Sequence, residues 1–331
     1  MILRVVEDSI MTCSLGMMLF AFLMLVAPGA QAEEPRAIEP LLSAETRLMV
    51  FAPHPDDESL GAGGLIQRVL SLGGKVKVVF MTNGDGFPEG VEKEDHIAHP
   101  TAKDFREYGL ERREEALRAL ATLGLKERDA IFLGFPDGGL CYLVGKFPAD
   151  PLAYTSPFTR ENRPPAFEML IPHTDFNGRD LTMEVVRVLA DFRPNLVAVT
   201  PSEDQHPDHC ATDYFVREAL IDLEKKIPAV KPTVLFYLIH FGQWPVGQGS
   251  GTGSRLNPPE GFPEKGREWV SFSLRAKEAE TKRKAILKHH TQMLVMGRFL
   301  LSFARANELF ILEQAGQGLA KTMEKISCCG K

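Results

Sequence analysis

"FAPHPDDESLGAGG", residues 51–64, ends an apolar run with a histidine, two aspartates and a glutamate in five consecutive positions, then turns glycine-rich. The run leading in, "TRLMVFA" (46–52), is short, apolar and stopped by proline and charge, which predicts a buried strand. "LGAGGLIQRVLSLGG" then predicts a helix that starts near Leu60 and stops at Gly73-Gly74. The opening unit is therefore strand, charged turn, helix.

The same pattern repeats outward along the chain. "KVKVVFMT" (75–82) reads as a second strand ending in "NGDG", and 104–123 as a helix with Leu110, Ala116, Leu117, Leu120 and Leu123 on one face. "DAIFLGF" (129–135) is a third strand, stopped by "PDGG". A stretch rich in Pro, Gly and Asn (145–178) is too long for an ordinary connection and is expected to cover something. "LTMEVVRVLADF" reads as a helix, "NLVAVT" (195–200) as a fourth strand, "CATDYFVREALIDLEKKI" as a helix and "TVLFYLIHF" as a fifth strand. A Gly/Pro loop (245–266) leads to "WVSFSL", and two helical stretches are expected to finish the chain. Strands alternating with helices predict an α/β fold, a Rossmann-like three-layer sandwich with a mostly parallel sheet. In such sheets sites form beyond the carboxyl ends of the strands. "HPDDE", "NGDG", "PDGG" and "PSEDQHPDH" follow strands one to four, so four polar clusters are predicted to share one rim.

Crowded carboxylates repel unless a cation offsets them, and His with Asp is a donor set for a borderline divalent metal. His54 and Asp57, three apart in a turn held by Pro55, are positioned for one ion. A catalytic zinc takes three protein ligands, and "HPDH" (206–209) offers a third. The tight turn between His206 and His209 keeps them from sharing that ion, leaving one for acid–base work. Taken singly, either motif is also what a capped helix start looks like.

These motifs resemble those of the LmbE-like, or PIG-L, N-deacetylases. "APHPDDE" matches the first signature of that family and "HPDH" the second. "TNGDG" (82–86), "RREEALRALATLG" (112–124), "LGFPDGG" (133–139) and "KRKAILKHHTQ" (282–292) match the patterns around them, over about residues 45–300. The resemblance implies a zinc-dependent hydrolase (Fe2+ and other divalent metals are alternatives) that removes an N-acetyl group from a small amino-sugar conjugate such as an N-acetylglucosamine conjugate. It implies His54, Asp57 and His209 as metal ligands and Asp56 as the general base that takes a proton from the attacking water. His206, as an imidazolium, would stabilise the oxyanion, with Asp208 orienting it. Arg112 and Asp137 would bind sugar hydroxyls. Glu58 would brace the loop or cap the helix, and Cys210 would pack. Some relatives place a tyrosine two residues before the first histidine of the second motif, where this chain has Asp204. His240 and His289 are further histidines whose place, at the site or in the scaffold, is left open. Within the same fold, the competing readings are a secreted sugar-binding protein without activity and a hydrolase of a non-sugar amide. A dinucleotide-binding oxidoreductase is disfavoured, because no G-x-G-x-x-G occupies the first turn.

The chain has 331 residues, 44% hydrophobic and 25% charged, which suits a folded domain with a large core. A formal net charge of −6 gives no support for a nucleic-acid partner. "MMLFAFLMLV" (17–26), then "PG" and "AQA", reads as a signal peptide ending at Ala32, which predicts export to the periplasm or outside the cell. Uncleaved, it would be the chain's one membrane anchor. Residues 33–44 are expected to be a leader, 45–310 the deacetylase domain and 311–331 a tail. Cys141, Cys210, Cys328 and Cys329 follow the signal segment, with pairing open.

Overall fold

The structure is a computed structural model that describes residues 36–145, 153–247, 249, 251, 253–263, 267–313 and 329. The expected signal segment lies outside the described residues. Among the described residues no helix is long and apolar enough to cross a membrane.

Eight strands form one sheet: β1 (Arg36–Ala37), β2 (Arg47–Ala52), β3 (Lys75–Thr82), β4 (Ala130–Phe135), β5 (Leu196–Val199), β6 (Thr233–Phe236), β7 (Arg267–Ser273) and β8 (Asn307–Glu313). Their order across the sheet is β1-β7-β8-β6-β5-β2-β3-β4. The strands β6-β5-β2-β3-β4 are all parallel, and β8 runs antiparallel to both β6 and β7. The expected α/β class is therefore correct. From β2 the chain moves outward through β3 to β4, then returns to lay β5 on the other side of β2. That reversal opens a crevice between the carboxyl ends of β2 and β5. β2 is buried from Leu48 to Ala52, which explains its unbroken apolar sequence.

The helices are α1 (Asp57–Ser71), α2 (Pro88–Asp95), α3 (Ala102–Leu123), α4 (Leu140–Gly145), α5 (Gly178–Phe192), α6 (Pro207–Lys226), α7 (Ala276–Ile286) and α8 (His290–Leu301). α1, α3 and α7 pack together, as do α4, α5 and α6. Local chemistry sets their ends. Thr101 and Asp104 form a capping box on α3, which Gly124 stops at φ 99°. The Asn177 side chain accepts the Asp180 N–H to cap α5, and α6 opens with Pro207 at its first position.

Four boundaries differ from those expected. α1 begins at Asp57 rather than near Leu60, because acidic side chains suit the positive end of a helix. β6 stops at Phe236, and the N–H groups of Ile239 and His240 are taken by the Asp204 carboxylate instead of a neighbouring strand. The last described element is β8 rather than a helix, fixed by seven paired positions with β7. Part of the expected leader, Arg36–Ala37, is a strand paired with Val270–Ser271, and β8 carries the sheet to Glu313.

The glycines after the charged turn serve packing. A Cβ on Gly61 would fall 2.1 Å from the Tyr237 ring, and one on Gly64 would fall 2.2 Å from Leu274. Behind them Glu308 accepts the N–H groups of Gly64 and Leu65 at 2.7 and 2.9 Å, and buried Lys282 sits 2.7 Å from the same carboxylate.

Candidate metal centre

The turn after β2 and the first turn of α6 meet at the crevice. His54 Nδ1, Asp57 Oδ2 and His209 Nε2 converge there. Their separations are 3.2 Å between the two nitrogens and 3.3 Å from each nitrogen to the carboxylate oxygen. Donors arranged tetrahedrally at zinc distances lie roughly 3.3–3.4 Å apart, so this triangle has the size of one face of such a site. His54 with His206 and His209, and His54 with Asp137 and Asp208, also approach closely enough to share an ion. The trio containing Asp57 fits better. His206 Nδ1 is taken up by the N–H of Asp208 at 3.2 Å, and Asp137 and Asp208 face the opposite nitrogen of His54.

Each of the three candidate ligands is held from behind. His54 Nε2 lies 3.1 Å from Asp137 and 3.3 Å from Asp208, an arrangement that keeps its proton on Nε2 and leaves Nδ1 free to ligate. His209 Nδ1 lies 3.2 Å from Asp204. Asp57 Oδ2 accepts the backbone N–H of His54 at 2.9 Å. His54, Asp57 and His209 are all buried.

The electrostatics describe a site built around positive charge. Burial would depress the His54 pKa, but Asp137, Asp208 and Asp57 outweigh it and hold the imidazole well above its usual value. Burial also opposes protonation of His209, yet Asp204 and Asp57 lift it to about 10. For Asp57, burial works upward but both histidines hold its carboxyl well below the usual range. Four carboxylates thus favour positive charge on these two rings, and a divalent cation can supply that charge instead of protons. The donor set and its spacing fit a bound metal.

Asp56 lies beside the triangle. Burial and the charge of Asp57 lift its carboxyl to about 7, against the pull of Arg112. Arg112 Nη2 is 3.3 Å from Asp56 and also donates to Pro55 O, while Nη1 donates to Gly84 O. His206 faces the same cleft. This cleft, of about 250 Å3, has His54, Asp56, Arg112, Asp137 and His206 in its polar wall and Leu60, Phe87, Met296, Phe299 and Leu300 in its apolar one. A larger cavity of about 530 Å3 lies on the Asn83–Asp85 side, and its lining contains none of the residues of the triangle.

The structure places His206 in the cleft, with its Nδ1 accepting the Asp208 N–H. Burial and the positive charge at His54 and His209 push its pKa down to about 2, and a cation in the triangle would act in the same direction. Asp208 meets the His206 ring through its backbone N–H, at 3.2 Å, and not through its carboxylate. Its carboxylate accepts the N–H groups of Gly138 and Leu140 and faces His54, because the first turn of α6 points it back at the loop after β4. Arg112 and Asp137 both line the cleft, but each already works within the protein. Asp137 Oδ2 accepts the Gly86 N–H at 2.7 Å, and its other oxygen faces His54.

Sequence reasoning missed the function of Asp204. Its carboxylate serves His209 and the N–H groups of His206, Ile239 and His240. The signal was the acid itself, standing in the second signature where some relatives have tyrosine. His240 does reach the cleft, stacked on Phe299 at 5.2 Å between ring centroids. His289 does not line it. Cys141 is bonded to Cys329, and Cys210 is also disulfide-bonded.

A doubly wound sheet whose switch point gathers a two-histidine, one-aspartate triangle defines an α/β protein with a metal-type cleft. The chain belongs to the PIG-L family: the family model described as GlcNAc-PI de-N-acetylase matches residues 49–220. It is 32% identical over 180 residues to a 1D-myo-inositol 2-acetamido-2-deoxy-alpha-D-glucopyranoside deacetylase of Rhodococcus opacus, covering 54% of each chain. The enzyme of the same description from Mycobacterium sp. (strain KMS) is 29% identical over 235 residues, covering 69% of this chain and 62% of that one. The chain thus spans a little over half the length of these curated relatives. Among solved structures, N,N'-diacetylchitobiose deacetylase from Pyrococcus horikoshii is similar at a TM-score of 0.49 and 17% identity, over 81% of this chain and 84% of that one.

Proposed function

We propose that this protein is a divalent-metal-dependent N-deacetylase that hydrolyses the acetamide of a small N-acetylated amino-sugar conjugate to the free amine and acetate. The observation that carries this reading is the triangle of His54 Nδ1, Asp57 Oδ2 and His209 Nε2 with the Asp56 carboxylate beside it. His54, Asp57 and His209 would hold the metal, for which zinc is the first choice. When bound, such an ion acidifies water and polarises a carbonyl.

The protein's own groups supply the rest. Asp56 takes the proton of the attacking water and returns it to the leaving amine. Its raised pKa suits a base working near neutrality. His206, with Nδ1 committed to the Asp208 N–H, has Nε2–H as the donor left for the oxyanion. Arg112 ties Asp56 to the loops at Pro55 and Gly84, which fixes where the base stands. The sugar is proposed from family membership and from what the relatives are named for. Export is proposed from the N-terminal segment, and the Cys141–Cys329 disulfide supports an oxidising compartment.

The test is metal analysis of purified protein followed by an acetate-release screen over N-acetylglucosamine conjugates. One zinc per chain with acetate release is expected. A fully loaded protein that releases no acetate from any of them would overturn the reading.

A further inference from the structure

Asp56 has a backbone conformation that a residue with a side chain seldom adopts, φ 137° and ψ −32°. Such a conformation persists only where its surroundings enforce it. The Asp56 carbonyl accepts the N–H groups of Ser59 and Leu60 as α1 begins, at 2.9 and 3.0 Å, and its own N–H is held separately. The Asp56 N–H donates to Glu58 Oε2 at 3.0 Å, two residues along the same turn.

Glu58 is itself held. Its Oε1 accepts from Ser59 Oγ at 2.6 Å and lies 3.4 Å from His289 Nε2, which is also 3.2 Å from Ser59 Oγ. Glu58 and Ser59 are fully buried and His289 is 1% exposed. None of the three lines the cleft. His289 is fixed in turn at the start of α8. Thr291 donates twice to Glu115, at 2.9 and 2.7 Å, and Gln292 donates to Tyr108 at 2.8 Å. The metal triangle has separate supports in Asp137, Asp208 and Asp204. The brace on the base and the braces on the ligands are therefore different sets of residues.

We infer that Glu58 and His289 are positioning residues that lock the Asp56 backbone in its unusual conformation, aiming the carboxylate at the reacting water without touching substrate or metal. This inference rests on the deacetylase reading for its kinetic consequence, and on the Asp56 geometry alone for its structural one. Without the Glu58 acceptor the buried Asp56 N–H loses its partner, and the turn relaxes toward ordinary φ values. A shift of about 1 Å at a reacting group is enough for a loss of about 100-fold.

The experiment compares Glu58→Ala, Glu58→Gln and His289→Ala by crystallography, zinc content and steady-state acetate release. Glu58→Gln keeps an oxygen for the Asp56 N–H, so it should retain positive φ at Asp56 and kcat within about threefold. Glu58→Ala should lose positive φ at residue 56 and about 100-fold in kcat, with KM and zinc content unchanged. His289→Ala should fall between them, and adding it to Glu58→Ala should cost nothing more, since the two act as one unit. Positive φ retained in Glu58→Ala would overturn the inference, as would loss of zinc in step with activity. If the parent protein carries zinc but turns over nothing, the deacetylase reading fails, while φ at Asp56 in the variants still decides the brace. Should Glu58→Ala not fold, the His289→Ala structure decides it in the same way.

Discussion

Asp204 places a carboxylate oxygen 3.2 Å from Nδ1 of His209, on the side of the ring away from the triangle. The same side chain draws in the N–H groups of Ile239 and His240, so it joins the segment after β6 to the proposed metal site. Replacing Asp204 with alanine is expected to weaken zinc binding about 10- to 100-fold, as loss of such an outer partner does elsewhere. Competition with a chromophoric chelator measures this, and unchanged affinity would remove Asp204 from the site.

Asp56→Asn removes the base but keeps the shape of the side chain. Acetate release should fall about 100- to 10,000-fold, with one zinc per chain retained. A variant with full turnover would mean that another group moves the proton.

Metal uptake should release protons. The pKa values of His54 and His209 are raised, which favours protons in the metal-free site, and both rings must be neutral to ligate. About one to two protons per zinc are therefore expected, and affinity should rise with pH. Calorimetry in buffers of different ionisation enthalpy counts them, and a count of zero would place the ion elsewhere.

Gly61→Ala puts a methyl group into the Tyr237 ring, whose hydroxyl is anchored to Phe51 O at 2.6 Å. The ring cannot yield without breaking that bond. A loss of about 1–3 kcal/mol is expected in chemical denaturation. Wild-type stability would show that α1 has room to move.

Arg68 and Glu278 form a two-pronged pair between α1 and α7, at 2.7 and 2.6 Å. Burial would raise the Glu278 pKa, but Arg68 and the Arg275 N–H hold it below the usual value. The pair's contribution is thus present above the unfolded carboxylate pKa and lost as pH falls through the lower folded one. Glu278→Gln should cost about 1–2 kcal/mol at pH 7 and nothing once both states are protonated. Paired denaturation curves at pH 7 and below pH 4 test the sign.

The sequence made the parallel core and its polar rim legible because each strand from β2 to β5 is a short apolar run ended by charge. His54, Asp57 and His209 were readable because few other reasons place such residues together at strand ends. The outer strands were not. "NELFILE" (307–313) carries good helix formers, and only its register with β7 makes it a strand. Asp204 and Asp208 were visible as acids, but their targets depend on a turn geometry that spacing does not encode. His289 was equally opaque, since nothing local ties it to residues 58 and 59.

The order of the chain gives the brace behind α1 a consequence in time. The three proposed ligands have all been synthesised once residue 209 is made. Lys282, His289 and Glu308, which close over the back of the first turn, come about 70 to 100 residues later. At the 5–20 residues per second of protein synthesis, that is an interval of roughly 4 to 20 seconds. The residues that would hold the metal are thus made before those that would hold the base in place. Catalytic competence would then be among the last properties the polypeptide acquires.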